Sequence, residues 1–138
     1  EPLALILLRK DADLASKLGL GNLPEDSTEA LIQAVAMLSQ QANIEALWDY
    51  LKERCENERR EVHSNEIKLL EIAISWCNHN RKLHLFKLIE VAPGEAYNYE
   101  KHLRSTLTSS GETIKYPLLS GISSGSSKVL CKPLVTTH

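Results

Sequence analysis

The densest group of potential metal ligands in the chain is the segment CNHNRKLH, residues 77–84, which contains Cys77, His79 and His84. A zinc site needs three or four thiolate, imidazole or carboxylate ligands that converge on one point. Residues two apart on a helix point in different directions, so Cys77 and His79 would not converge on a helix. We therefore interpret Cys77 as a core residue and both histidines as surface residues, and we predict neither a metal nor another cofactor.

Cysteine catalysis is the second chemistry that the residue types allow. It requires a thiol that ionises readily and a partner histidine. Cys55 instead has Glu53 and Glu56 as close neighbours in sequence, and their negative charge opposes a thiolate. The chain also lacks a phosphate-binding glycine loop, a Gly-x-Ser-x-Gly turn and a His-Glu-x-x-His helix. The sequence therefore predicts a protein that is not an enzyme.

Bulk composition limits the partners. The 138 residues carry a net charge of −2, so no broad positive field attracts nucleic acid or an anionic membrane. Aromatic residues make up only 5% of the chain, too few for base-stacking platforms. The apolar run at residues 3–8 is too short to insert across a membrane. Three cysteines without framework spacing favour reduced, buried thiols and a cytoplasmic location.

The elements that would position any functional residue are mainly helices. Apolar residues predict a first helix over residues 3–18, and Gly19 is available for a left-handed cap at its end. A second helix is predicted from Asp26 to about residue 41, because Asp26 and Glu29 have the spacing of a capping box.

Two further helices follow. Asn43 is predicted to cap a helix with one clear amphipathic stripe, formed by Ile44, Leu47, Trp48, Leu51 and Cys55. The polar run after Cys55 either continues this helix or bends it near Ser64. From residue 66 to about residue 79 the pattern is apolar on nearly all sides, so this helix needs cover from its own chain or from a partner.

The character of the sequence changes after residue 80. LHLFKLIEV is predicted to include a short strand, APGEAYNYEKH is a connector, and Asn98 is predicted to cap a short helix to about residue 107. TIKYPLL is predicted to be an edge strand because of Pro117, SGISSGSS to be a flexible loop, and KVLCKPLVTT to be a second β run. The predicted fold is mainly α, a helical bundle over residues 1–92 with a small C-terminal β element (α+β) over residues 93–138.

Strict alternation makes one further prediction for the β run. It places Val129, Cys131 and Pro133 on one face and Leu130, Lys132 and Leu134 on the other. Each face then carries apolar residues, so we expect both faces to be partly covered, one of them by a partner.

The stretch FKLIEVAPGEAYNYEKH resembles the GrpE co-chaperones, in which an apolar turn precedes the pattern Gly-Glu-Pro-Phe-Asp-Pro-x-x-His. Gly94, Glu95, the aromatic Tyr97, the polar Asn98 and His102 keep that spacing. KVLCKPLV, residues 128–135, is similar to the family's closing Arg-Val-Leu-Arg-Pro-Ala-x-Val strand, and a Gly at 121 stands where the family turns with Gly-Tyr. This chain has Asn98 for the Asp, Tyr99 for the second Pro, Ile122 for the aromatic and Cys131 for an Arg.

The resemblance implies a helical bundle with a β wing and a role as a nucleotide exchange factor that docks on a DnaK-type chaperone ATPase. The residues that it implies for partner binding are Tyr97, Asn98, His102, Ile122, Lys128 and Lys132. The alternative is a helical adaptor or regulatory module without exchange activity. Because the helix over residues 66–79 is so apolar, we also predict a homodimer with Leu70, Ile74 and Trp76 at or near its interface.

Overall fold

The computed structural model describes residues 1–138, which form five helices and six strands. The helices are α1 Leu3–Lys10, α2 Ala12–Lys17, α3 Ser27–Leu38, α4 Gln41–Glu58 and α5 Ser64–Asn78. The strands are β1 Phe86–Ile89, β2 Leu103–Arg104, β3 Ile114–Leu119, β4 Gly121–Ser124, β5 Lys128–Cys131 and β6 Leu134–Thr137. The prediction of a mainly helical bundle is wrong, because two sheets rather than a minor appendage organise the C-terminal part: the fold is α+β.

The chain divides into two compact units. We call residues 1–50 and 64–81 the helical unit, and residues 51–63 and 82–138 the sheet unit. The second part of α4 therefore belongs with the strands. None of the five helices combines the length and the apolar character that crossing a bilayer requires.

In the helical unit, side-chain caps and one glycine set the helix ends. The predicted helix over 3–18 is two helices, because Asp11 leaves the helical conformation and its carboxylate accepts a hydrogen bond from Leu14 N, 3.1 Å. Gly19 has a φ of 73° and closes α2, with Leu20 N donating to Ala15 O, as predicted. Asp26 caps α3 by accepting from Thr28 N and Glu29 N, also as predicted.

The core of the helical unit lies where α5 packs against α1 and α3. Its fully or nearly fully buried side chains are Leu5, Leu8, Ala30, Ala34, Leu38, Leu69, Leu70 and Ala73. The predicted stripe of α4 is buried at each of its five positions: Ile44, Leu47 and Trp48 in the helical unit, and Leu51 and Cys55 in the sheet unit. Asn43 does not cap α4, which begins two residues earlier at Gln41. The side-chain amide of Asn43 donates instead to Met37 O at 2.8 Å, near the end of α3.

The sheet unit contains two three-stranded sheets, and each sheet combines strands that are not all consecutive along the chain. Sheet A has the antiparallel order β1-β4-β5, and sheet B has the order β2-β6-β3, in which β2 is parallel and β3 antiparallel to β6. The core side chains include Phe86, Ile114, Leu119, Ile122, Leu134 and Val135. Residues 51–63 attach to sheet B through Val62 N, which donates to Leu118 O at 2.8 Å.

Four sequence predictions for this unit have different outcomes. β1 and the edge position of β3 with Pro117 are confirmed. The predicted loop over 120–127 is wrong, because it contains the whole of β4. The helix predicted from Asn98 to about residue 107 is also wrong: one turn forms, and the chain then enters β2 at Leu103, where pairing with β6 replaces helical hydrogen bonds.

A register shift in sheet A corrects the predicted alternation of β5. Val129 pairs with Ser123 and Cys131 pairs with Ile122, so two residues of β5 advance while one residue of β4 does. Such a bulge turns the following side chains to the opposite face. Val129 is consequently 44% exposed while Cys131 is buried, although strict alternation places the two on one face.

Candidate partner-binding surface

The connector from residue 92 to residue 102 is fixed against β3. Gly94 has a φ of 93°, a conformation that favours glycine. Its N–H donates to Ile114 O, and Ile114 N donates to Glu95 O, both at 2.8 Å. Tyr97 N adds a hydrogen bond to Glu112 O. The connector thus extends sheet B along the outer side of β3, while most of its side chains remain exposed.

A single turn centred on Asn98 follows. The Asn98 carboxamide oxygen accepts from Glu100 N, and its backbone carbonyl accepts from Lys101 N and His102 N. The Asn98 N–H donates to His102 Nδ1 at 3.1 Å, which requires an unprotonated Nδ1. Asn98 and His102 are therefore the two ends of one compact turn.

His102 is buried, and its environment favours the neutral ring. Burial lowers the pKa of His102 below its ordinary value, Glu95 opposes this change, and Lys101 adds to it. The imidazole lies 5.9 Å from the Tyr97 ring, centroid to centroid. His102 is thus a structural residue of the turn rather than an exposed contact for a partner.

Tyr97 is also held in place by its neighbours. The Arg104 guanidinium lies 4.4 Å from the centroid of the Tyr97 ring, within the range of a cation–π interaction. Arg104 Nε donates to Thr137 Oγ1 at 3.0 Å and its Nη2 donates to Gly111 O at 2.8 Å. Arg104 thereby joins β2, β6 and the connector. No motif in the sequence marks it.

The remaining implied contact residues differ in exposure. Lys128 and Lys132 are exposed at the two ends of β5, and Lys132 Nζ donates to Tyr99 O at 2.9 Å. Tyr99, which the sequence analysis did not select as a contact residue, is 72% exposed. Ile122 is fully buried in sheet A, so its side chain packs inside the unit and does not face a partner.

A carboxylate that the sequence analysis did not select organises the segment after β2. Glu56 accepts hydrogen bonds from Ser105 Oγ at 2.8 Å, Thr106 Oγ1 at 2.6 Å and Thr106 N. Ser105 is buried, and its hydroxyl also accepts from Leu107 N. Glu56 and Ser105 lie 49 positions apart in sequence, so no local pattern could have revealed the contact.

The predicted dimer residues lie on α5 in the helical unit. Leu70 and Ile74 are buried in the packing of a single chain, and Trp76 is half-buried. The first two side chains are therefore already covered, which removes the physical reason for placing them at an interface. The homodimer itself stays a prediction.

The potential metal and thiol chemistry is dispersed. No group of three or more His, Cys, Asp or Glu side chains is arranged to hold a metal ion. Cys77 is buried and burial raises its thiol pKa, whereas His79 and His84 are exposed. Cys55, Cys77 and Cys131 are all buried and none forms a disulfide.

Comparison of the chain with protein-family models, with curated proteins and with solved structures finds no significant match.

Proposed function

We propose that this chain is a non-catalytic accessory factor that binds another protein through its sheet unit. The specific form of the proposal is a GrpE-like nucleotide exchange factor for a DnaK-type chaperone ATPase. The observation that carries it is that the two segments with the GrpE resemblance meet. Leu103 N, just after the first segment, donates to Pro133 O at 2.8 Å, and Lys132 Nζ of the second donates to Tyr99 O.

The meeting of these segments supports a shared role because they are separated by 25 residues of strands and loops, residues 103–127. β2 also pairs with β6, and this pairing joins Leu103, directly after the first segment, to Leu134 within the second. The exposed side chain of Tyr99 at the junction offers an aromatic group, a type enriched in protein interfaces, and Lys132 beside it offers a positive charge.

The proposed surface differs from the set that the resemblance implied. Asn98, Lys128 and Lys132 keep their places in it because they are exposed, and Tyr99 joins them. Tyr97 and His102 are less exposed and stabilise the turn from its inner side. A rigid turn favours affinity, because little conformational entropy is lost when a partner binds.

An exchange factor acts by binding the open form of the nucleotide cleft more tightly than the closed form. By linkage, the bound nucleotide and the bound exchange factor then lower each other's affinity for the ATPase by the same ratio. Binding of this chain to a purified DnaK-type ATPase domain, measured by biolayer interferometry with and without saturating ADP, tests both parts of the proposal. We expect binding to the nucleotide-free domain and a clear loss of affinity with ADP.

Equal affinity with and without ADP would leave a binding protein without exchange activity, which is the adaptor alternative. No binding in either state would overturn the chaperone partner. A cytoplasmic location belongs to the same proposal, because three buried thiols outside disulfides suit a reducing compartment.

A further inference from the structure

β5 is an edge strand whose outer side carries no backbone partner at Val129 and Leu130. In sheet A it pairs with β4 only, and no hydrogen bond from a turn or loop reaches these two residues. An edge strand directs alternate N–H and C=O groups away from its neighbour and can accept a further strand. This edge can therefore accept an extended segment.

The edge of sheet B at β3 is different. Gly94 and Glu95 take the outer hydrogen bonds of Ile114, Val62 takes the carbonyl of Leu118, and Pro117 has no N–H to offer. That edge is occupied by the chain itself. The comparison shows that this fold covers one edge with its own segments and leaves β5 uncovered.

Side chains around β5 define the chemistry of what could bind. Lys128 and Lys132 are exposed at its two ends, Val129 between them is 44% exposed, and Tyr99 lies beside Lys132. No Asp or Glu occurs after Glu112, so the last three strands carry positive charge only. The sheet unit as a whole has eleven Lys or Arg residues against eight Glu residues.

These charges select between possible occupants. A second copy of β5 would bring lysines of like charge into the same short sheet, which is destabilising, and edge lysines are a common protection against such pairing. An extended segment with acidic residues on both of its faces would instead meet Lys128 and Lys132, which the bulge in β5 places on opposite faces, while its backbone pairs with β5.

We propose that β5 is a docking strand for an extended acidic segment of a partner protein, which adds to sheet A as a fourth strand. The proposal rests on the proposed function insofar as the sheet unit is the protein-binding part. It does not require the partner to be a chaperone.

The probe for this proposal is the fluorescently labelled peptide acetyl-EEVEEVE-amide, which has acids on both faces when extended, titrated with the full chain and followed by anisotropy. One matched control has Lys in place of each Glu. Two further control peptides carry backbone N-methyl groups, one on the odd-numbered and one on the even-numbered residues, because only every second N–H of a docked strand points toward β5. We expect the Lys peptide and one of the methylated peptides to bind about tenfold more weakly, and amide resonances of Val129 and Leu130 to shift on binding.

Charge reversal in the protein provides a second arm. The double variant Lys128→Glu and Lys132→Glu is expected to prefer the Lys peptide, whereas Lys115→Glu, on β3, retains the preference of the wild type for the Glu peptide. Equal binding of the Glu and Lys peptides to the wild type would overturn the proposal. So would undiminished binding of both methylated peptides, which would show ionic contact without strand pairing.

If the double variant does not fold, as judged by circular dichroism, the peptide controls on the wild type still decide the outcome. The result is also separable from the chaperone experiment. Peptide binding without chaperone binding would refute the exchange function and retain the docking strand. Chaperone binding without peptide binding would refute the docking strand and retain the exchange function.

Discussion

The helical unit and the sheet unit differ in how far apart in sequence the residues lie that stabilise each of them. In the helical unit most contacts join apolar residues whose spacing along a helix already indicates the buried side. In the sheet unit single polar contacts, such as Glu56 with Ser105 and Arg104 with Thr137, join segments that are far apart in sequence. Local periodicity can therefore reveal the first unit but not the second.

The two units also differ in how their stability is distributed over side chains and backbone contacts. Helical packing distributes stability over many apolar side chains, each contributing through burial. Six short strands bury fewer side chains each, so close backbone approaches and satisfied polar groups decide whether the sheets assemble. Substitutions can test this contrast, beginning with the largest expected effect.

Leu70→Ala in α5 should lower the free energy of unfolding by about 3 kcal/mol, because it leaves a cavity in the core of the helical unit. Urea denaturation measures the loss, and Ile32→Ala, at a position 64% exposed on α3, is the control with an effect near zero. If Leu70 were instead an interface residue, the loss would vary with protein concentration and light scattering would show a change in mass.

Gly121→Ala should cost about 2 kcal/mol in the sheet unit. A Cβ at Gly121 would press on the Cys131 carbonyl oxygen and lie 2.6 Å from Pro133 Cδ, so the backbone has to move. Gly21→Ala in the helical unit is the matched control, since its Cβ would meet Ser16 at an ordinary 3.4 Å. Equal losses of stability for the two variants would contradict the close approach of β4 to the segment after β5.

Glu56→Gln should cost about 1.5 kcal/mol, because it weakens the charge-assisted hydrogen bonds to the Ser105 and Thr106 hydroxyls. Glu53 is exposed on the same helix, and Glu53→Gln removes the same charge without touching these hydrogen bonds, so it is the matched control. Thermal unfolding of both variants measures the difference. A Tm for Glu56→Gln that matches the Glu53 variant would show that the carboxylate does not hold the segment.

His102 should give the smallest effect, and one that depends on pH. Its pKa is lowered in the folded state by burial, from an ordinary value of 6.5, so the unfolded chain binds the proton more readily. The stabilisation is complete above the unfolded pKa and is lost as the pH falls through the range down to the folded pKa. Denaturation at a series of pH values should show a steeper loss for the wild type than for His102→Gln. Parallel curves would exclude this contribution.

The sequence alone predicted much of the helical unit. The caps at Asp26 and Gly19 and the buried residues Ile44, Leu47 and Trp48 of the α4 stripe are as predicted, because each depends on residues within a few positions of one another. The break at Asp11 was missed, since an apolar pattern continues on both sides of it and only the backbone shows the interruption.

The sheet unit and its candidate surface were predicted less well, for physical reasons that particular residues show. Strand alternation gave the wrong faces for Val129 and Cys131, because a bulge is invisible to a pattern with a fixed period. Asn98 was predicted to cap a helix, but only one turn forms there, because pairing of β2 with β6 replaces the helical hydrogen bonds. Ile122 was selected by resemblance, and its burial depends on strands that had been assigned to a loop.

The rate at which a labelled nucleotide leaves a DnaK-type chaperone ATPase tests most directly whether the sheet unit carries the function. Stopped-flow traces would be compared for the wild type, for Ile32→Glu on the exposed face of α3 and for Lys132→Glu beside Tyr99. We predict that excess wild type and Ile32→Glu accelerate release equally and that Lys132→Glu accelerates it markedly less. No acceleration by the wild type, or a loss with Ile32→Glu alone, would contradict the account.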